Sequence, residues 1–249
     1  MAVLWQKKVK GTLYEVRTAG HTRRLYTNGV FHSQFNPNRH TAGGVWDLLI
    51  LPVFFYPRDY IQRILVLGVG GGAIIRLLKS HVRPSKIVGI EHNAMHLSIA
   101  RRFFGVRKAT AQLIHADAEQ WLNDYSGPPF DLIVDDLFDE CDGEPVRAVA
   151  LNSTWFERLY ANLSRDGLLV VNTTDIRDFN SSAYFTSRRI SGRFKSAFQL
   201  TLPLYENVVG AFLKKEATGK LLHNHLINDA KAPFLKNLGS SGYRVRRVV

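Results

Sequence analysis

The run Arg63-Ile-Leu-Val-Leu-Gly68-Val-Gly70-Gly71-Gly72-Ala73 constrains this chain more than any other stretch. A short apolar strand feeds a glycine-rich turn, and Ile74-Ile-Arg-Leu-Leu-Lys79 then reads as a helix. The spacing is G-x-G-x-x-[G/A], with Ala73 as the last small residue. Such residues allow a tight turn, close approach of backbone to a ligand, and close packing of helix on strand. The helix start offers N–H groups and a positive dipole end to an anionic or electron-rich group. About twenty residues on, the next strand, Lys86-Ile-Val-Gly-Ile-Glu91, ends in an acid, the usual place for a carboxylate that takes ribose hydroxyls. A nucleoside site is predicted here.

Strands and helices alternate beyond residue 63. Strands are predicted at Ile64–Leu67, Ile87–Glu91, Ala111–His115, Asp131–Asp135 and Leu168–Asn172. Helices are predicted at Ala73–Ser80, Ala94–Phe104 (capped by Asn93), Ala118–Tyr125, Thr154–Leu163 (capped by Ser153) and Ser181–Phe198. Two last strands, Gln199–Leu202 and Val208–Leu213, follow each other without a helix and must be antiparallel. The sum is an α/β fold with a Rossmann-like, mostly parallel seven-stranded sheet, the layout of class I S-adenosylmethionine-dependent methyltransferases. Residues 1–50 read as a small antiparallel β unit, with strands around Thr12–Thr18, Arg24–Thr27 and Val30–Phe35 and turns at Gly20 and Asn28-Gly29. Residues 51–249 then form the nucleoside-binding domain, with one helix near Ala230–Leu238 and a basic tail.

In an open parallel sheet the ligand lies beyond the carboxyl ends of the strands. Those ends supply Gly68, Gly70 and Gly72, then Glu91, Asp117 with Ala118, and Asp135 with Asp136. Asp117 serves equally well as a helix cap. The acidic stretch Asp135, Asp136, Asp139, Glu140, Asp142, Glu144 stands out in a chain whose net charge is +12. It suits a site that holds a cation or deprotonates an amine or hydroxyl. The overall charge favours anionic partners, nucleic acid among them, and disfavours a polycationic substrate. His223 and His225 lack the neighbours a metal site needs, and no metal is expected. No Walker-type lysine follows the glycines. The lone Cys141, the lack of an apolar leader and the lack of a membrane-spanning run fit a cytoplasmic protein without membrane contact.

From Leu25 to Leu213 the chain resembles the spermidine synthase family. Leu25-Tyr-Thr-Asn-Gly-Val-Phe-His-Ser-Gln34 is similar to its L-x-L-D-G-x-x-Q segment, which implies a nucleoside contact for Gln34. Leu65–Arg76 resembles L-V-I-G-G-G-D-G-G-x-x-R. Glu91 falls on the ribose acid and Asp117-Ala118 on the adenine-side pair. Asp135 falls on the first Asp of D-S-T-D-P, which in the family helps deprotonate the attacking amine. Pro203-Leu-Tyr205 resembles P-T-Y-P, whose Tyr lines the amine site.

Departures accompany the likeness. The Asp of the family's glycine loop is Gly71 here, the second Asp of D-S-T-D-P falls on Phe138 unless Asp139 replaces it, and Val45-Trp46-Asp47 stands near the place of a Y-H-E segment. The resemblance implies a small-molecule acceptor and a homodimer. Intact S-adenosylmethionine carries a carboxylate that suits backbone N–H groups better than the missing Asp. Methyl transfer from S-adenosylmethionine is therefore favoured over aminopropyl transfer from its decarboxylated form, with Asp135 or Asp136 as base and Gln34, Trp46, Asp139 and Tyr205 lining the acceptor pocket. A non-catalytic nucleoside- or nucleic-acid-binding module and a nicotinamide-dependent dehydrogenase are the remaining readings.

Overall fold

The computed structural model describes residues 1–228 and 242–248. The first element is a four-stranded antiparallel sheet in sequence order: β1 (Ala2–Val9), β2 (Thr12–Ala19), β3 (Thr22–Thr27) and β4 (Val30–Phe35). The Asn28-Gly29 turn has positive φ at both residues, +47° and +85°, as a two-residue hairpin between twisted strands requires. β1 was not foreseen. Its side chains are almost all exposed, so it carries no inside–outside alternation to read, and Lys7 and Lys8 sit on this sheet edge as charged edge residues commonly do.

Next come α1 (Val45–Ile50) and a 3-10 turn, Leu51–Phe55. Leu48, Leu49 and Ile50 of α1 are fully buried in the core of the larger sheet. The small sheet thus ends at Phe35, ahead of the expected division at residue 50.

The larger sheet holds β5 (Arg63–Leu67), β6 (Lys86–Glu91), β7 (Gln112–His115), β8 (Phe130–Asp135), β11 (Leu163–Thr173), β12 (Ser196–Thr201), β13 (Val208–Leu213) and β14 (Arg244–Val248). Their order is β14-β12-β13-β11-β8-β5-β6-β7. The first five run parallel, and β13 is antiparallel to both of its neighbours, β11 and β12. Alternate residues of β5 enter opposite cores: Ile64 and Val66 pack with α1 and α2 (Ala73–His81), Leu65 and Leu67 with Trp155 and Phe156 of α5 (Ser153–Ala161). The small sheet docks through Tyr14, Val16 and Leu25 onto Ile99 of α3 (Ala94–Phe103) and Phe104.

Several local expectations change. The basic tail forms an eighth strand, β14, on β12. The acidic stretch folds as a hairpin, β9 (Phe138–Cys141) with β10 (Glu144–Arg147), around a turn with positive φ at Asp142 and Gly143. The Asp-Gly pair was a legible turn signal. The helix predicted at 181–198 is not continuous: α6 (Ile176–Ser181) ends where it was to begin, α7 (Ala183–Thr186) and α8 (Arg188–Ser191) are short pieces set apart by the extended backbone of Ser182 and Ser187, and residues 196–198 belong to β12. α5 is capped by Asn152, whose side chain accepts from the Trp155 N–H, and not by Ser153. Asn93 caps α3 and Asp117 caps α4 (Ala118–Asp124) as read from sequence. The helix expected at Ala230–Leu238 lies outside the described residues, and the last helix described is α9 (Gly219–Asn228). Among the described residues no helix is long and apolar enough to cross a membrane.

Candidate functional site

The carboxyl ends of β5, β6, β7, β8 and β11 surround a cleft of about 370 Å³. Its floor includes Gly68, Gly70, Glu91, Asp117, Asp136 and Asn172. Its roof comes from two unrelated pieces of chain: Phe31 and His32 on β4, and Phe138 and Asp139 on the β9–β10 hairpin. Glu140 ties these pieces together, accepting from the Asn28 side-chain amide at 3.1 Å.

The glycine loop is built differently from the expectation. Gly68, Gly70 and Gly72 all have positive φ, and a Cβ on Gly68 would lie 2.1 Å from the Asp136 carbonyl oxygen. Four of the loop's N–H groups, those of Gly68, Val69, Gly70 and Gly72, are already engaged. Gly68 donates to the Ile90 carbonyl at 3.0 Å and Gly72 to the Val69 carbonyl at 2.7 Å. The N–H groups of Val69 and Gly70 donate to one oxygen of Glu91 at 3.0 and 2.9 Å. Ala73 faces the Ser33 hydroxyl at 3.4 Å. A ligand carboxylate therefore meets the Glu91 carboxylate here in place of a cradle of open amides. Gly71 and Gly72 do not line the cleft. A Cβ at Gly71 would come within 2.8 Å of the Ser33 Cβ and 3.0 Å of the Phe104 ring, so β4 fills the space a side chain would need.

Glu91 is buried and faces the cleft. Its other oxygen accepts from the Asn93 N–H at 2.8 Å. Burial alone would raise its pKa, but His96 beside it and the surrounding amides hold the carboxyl down at about 2. It is an anion at any working pH with lone pairs left for ribose hydroxyls. We expect Glu91→Ala to weaken binding of an adenosyl ligand by about 1.5–3 kcal/mol, the worth of hydrogen bonds to a charged group, as read by calorimetry. An unchanged affinity would mean the ribose lies elsewhere.

Asp135 and Asp136 separate sharply. Successive strand residues point to opposite faces. Asp135 is fully buried beneath the sheet, away from the cleft. One guanidinium nitrogen of Arg147 reaches its two oxygens at 3.0 and 2.9 Å, and the Trp155 indole N–H donates at 2.8 Å. The expectation of Asp135 as base or nucleoside contact is corrected accordingly: every strong donor around it belongs to the protein. Asp136 faces the cleft and accepts from the Asn172 side-chain amide at 2.8 Å. Burial pushes its carboxyl up to about 6, partly offset by that hydrogen bond. With Asp136 in first place, the D-x-x-D interval of the family motif lands on Asp139, which also lines the cleft. The apparent loss of the second Asp was an error of one residue in register.

Gln34 is corrected in the same way. Its amide donates to the carbonyls of Ala42 and Gly43 and accepts from Arg24, and it stays out of the cleft. His32 takes its place there. The G-x-x-Q interval counted from Gly29 falls on residue 32, a signal the sequence held. The His32 Nε2 is buried without a hydrogen-bond partner among the described residues, and its ring lies 4.9 Å from that of His96. Burial, then His96, lower its pKa to about 4, so it faces the cleft as a neutral imidazole.

Trp46 and Tyr205 line the cleft, Trp46 edge-on to Phe31 at 5.2 Å. Asp117 lines it while capping α4 at Gln120, and Ala118 lies beside it. Asp47, near the missing Y-H-E segment, is buried and accepts from the N–H groups of Ala42 and Gly43 with one oxygen each. Among the described residues the lining holds five carboxylates, Glu91, Asp117, Glu119, Asp136 and Asp139, and neither lysine nor arginine. Among the described residues no group of three or more His, Cys, Asp or Glu is arranged to hold a metal.

The comparisons with known proteins bear on the family and the fold. The family model for the spermine/spermidine synthase domain matches residues 47–223, more than half of the chain. Polyamine aminopropyltransferase 2 of Caldanaerobacter subterraneus subsp. tengcongensis is 26% identical over 116 residues, 45% of this chain. The match spans only 38% of that relative's own length. The crystal structure of a probable spermidine synthase from Corynebacterium glutamicum superposes with a TM-score of 0.75 at 17% identity, covering 99% of this chain and 90% of that one. Human methyltransferase-like protein 13, solved with SAH, superposes with a TM-score of 0.59 at 16% identity, covering 78% of this chain and 98% of that one. At such identities the two structures speak for the fold, which is methyltransferase-like. Methyl transfer, the reaction favoured from sequence, gains no support from these matches, and neither does a nucleic-acid partner or a dimer.

Proposed function

Because the chain belongs to the spermine/spermidine synthase domain family, we propose that it transfers an aminopropyl group from decarboxylated S-adenosylmethionine to an amine. The observation that carries this reading is the cleft's charge: among the described residues its lining holds five carboxylates and neither lysine nor arginine, in a protein whose net charge is +12. A donor with a sulfonium and an ammonium, and an acceptor that is itself an amine, match such a field. The carboxylate of intact S-adenosylmethionine does not, since the loop amides it would need are held by Glu91.

In this reading Glu91 takes the ribose hydroxyls and Asp117 with Ala118 borders the adenine. The unpartnered His32 Nε2 supplies one neutral hydrogen-bonding group toward the nucleoside. Asp136 orients the acceptor nitrogen and removes its proton. The nitrogen lone pair attacks the methylene carbon bound to sulfur, the C–S bond breaks with its electrons going to sulfur, and a neutral thioether, methylthioadenosine, leaves. Alignment of nitrogen, carbon and sulfur supplies most of the acceleration. The test is incubation with decarboxylated S-adenosylmethionine and a panel of primary amines. Amine-dependent release of methylthioadenosine is expected; no release with any amine overturns the reading.

A further inference from the structure

Asn172 and Asn207 line the cleft together with Asp136, and three different strands bring them there. β11 runs parallel to β8 with Val171 opposite Asp135, so Asn172 stands next to Asp136 on the same face of the sheet. β13 runs antiparallel to β11, and its first residue, Val208, pairs with Thr173. Asn207, just before it, therefore reaches the same rim from the opposite chain direction. Backbone contacts fasten the meeting point. The Thr173 hydroxyl donates to the Val208 carbonyl at 2.7 Å, and Arg147 donates to the Asn172 carbonyl at 2.5 Å.

The side chains form a chain of hydrogen bonds with a fixed direction. The Asn207 amide nitrogen lies 3.2 Å from the Thr173 carbonyl and 3.2 Å from Oδ1 of Asn172. A backbone carbonyl only accepts, so the Asn207 group turned toward it is the NH2. The same NH2 donates to Asn172 and keeps Oδ1 of Asn172 on its own side. The NH2 of Asn172 is thereby aimed at Oδ1 of Asp136, 2.8 Å away. Turning the Asn172 amide over would set NH2 against NH2, in a side chain that is only 3% exposed. A carboxylate anion alone would orient Asn172. A protonated Asp136 would not, because it carries a donor of its own. No protein donor meets Oδ2 of Asp136 among the described residues.

We propose that Asn207 is a positioning residue for Asp136: through Asn172 it keeps a donor on Oδ1 in both protonation states and leaves Oδ2 as the oxygen that takes the acceptor's proton. The assignment rests on the aminopropyl-transfer reading above. As the C–N bond forms and the C–S electrons pass to sulfur, the proton of the attacking nitrogen moves to Oδ2. Without Asn207 the Asn172 amide turns over once Asp136 is protonated and accepts from a hydroxyl at Oδ1. The neutral form then gains a hydrogen bond that it lacks in the parent, and the proton lodges on the oxygen directed at Asn172. The charged groups around Asp136 are Asp135 and Arg147 beneath the sheet, Glu91 at the end of β6 and Asp139 on β9, with the titratable His32 in the roof and Glu206 next to Asn207 in sequence. Exchange of Asn207 for leucine alters none of them.

The experiment follows the Asp136 carboxyl of the full chain by 13C NMR, its resonance assigned by its loss in Asp136→Asn. In Asn207→Leu its titration midpoint should lie at least about half a pH unit above the parent's, the worth of one hydrogen bond. Asn207→Asp keeps the shape, accepts where the amide donated and adds a charge, and should raise the midpoint by at least about one unit. The acid limb of kcat for methylthioadenosine release should move by the same amounts, with KM for the amine within about twofold of the parent's. An unchanged midpoint in Asn207→Leu, or a raised amine KM with the limb in place, overturns the proposal and leaves aminopropyl transfer standing. No release by the parent with any amine overturns that reading and the role of Asn207 with it; the carboxyl midpoints separate this failure from a failure of the amide chain alone.

Discussion

Asp136→Asn lowers turnover by about 10²–10⁴-fold, the usual worth of a positioned general base, while leaving affinity for an adenosyl ligand close to that of the parent. The carboxyl group stands at the end of β8, held by the Asn172 amide and raised to about 6 by burial. An asparagine keeps that hydrogen bond and the side-chain volume but cannot take a proton. Activity of the parent should rise as pH increases through about 6, where Asp136 becomes an anion, and the variant should lack that limb.

Stability moves the opposite way. A carboxyl whose folded pKa is raised binds more protons folded than unfolded, so the parent loses stability between about pH 4 and 6 and does not regain it above. The asparagine variant escapes this cost and should be the more stable protein above pH 6 in thermal denaturation. Asp47, also raised to about 6 by burial, contributes a similar slope to both proteins and cancels in the difference. A variant as active as the parent would remove Asp136 from the chemistry. A variant less stable than the parent above pH 6 would contradict the burial of its charge.

Arg147→Met should cost about 3–5 kcal/mol of folding stability, the effect of stripping the partner from a buried charge. Arg147 is nearly as buried as Asp135, at 5% and 0% side-chain exposure. Its guanidinium also donates to the carbonyls of Val149 and Asn172 at 3.1 and 2.5 Å. One side chain thus fastens the end of the β9–β10 hairpin to the strand ends that carry Asp136 and Asn172. A total stability of about 5–15 kcal/mol leaves the variant marginal. The double variant Asp135→Leu, Arg147→Met removes both charges and should recover most of the loss, since well-packed apolar pairs often replace buried ion pairs without cost. Denaturant titration of the single and double variants checks this. A single variant within about 1 kcal/mol of the parent would mean that the pair is solvated and the hairpin held by other contacts.

What the sequence revealed and hid follows from the range of each signal. The strand–turn–helix at 63–79 and the acid at Glu91 are local patterns with strict geometry, and both sit where expected. β1 and the hairpin were missed because neither has a buried face to impose alternation. The choice between Asp135 and Asp136 turns on strand phase at the end of β8, and a one-residue slip exchanges cleft for core. The choice between Gln34 and His32 turned on a count from Gly29. Net charge is the least local signal: at +12 it argued against a cationic substrate, yet among the described residues no lysine or arginine lines the cleft, whose own lining is acidic. A sum over the surface does not report the field inside a concave site. The amides of the glycine loop also read as open from sequence, because nothing local shows that Glu91, some twenty residues away, closes them.

The cleft should accept a cationic aminopropyl donor and reject its carboxylated parent. Titration calorimetry with decarboxylated and intact S-adenosylmethionine tests it most directly. The decarboxylated compound should bind at least about tenfold more tightly, because the extra carboxylate meets Glu91, Asp136 and Asp139 without a cation to receive it. Equal or tighter binding of intact S-adenosylmethionine would contradict the account.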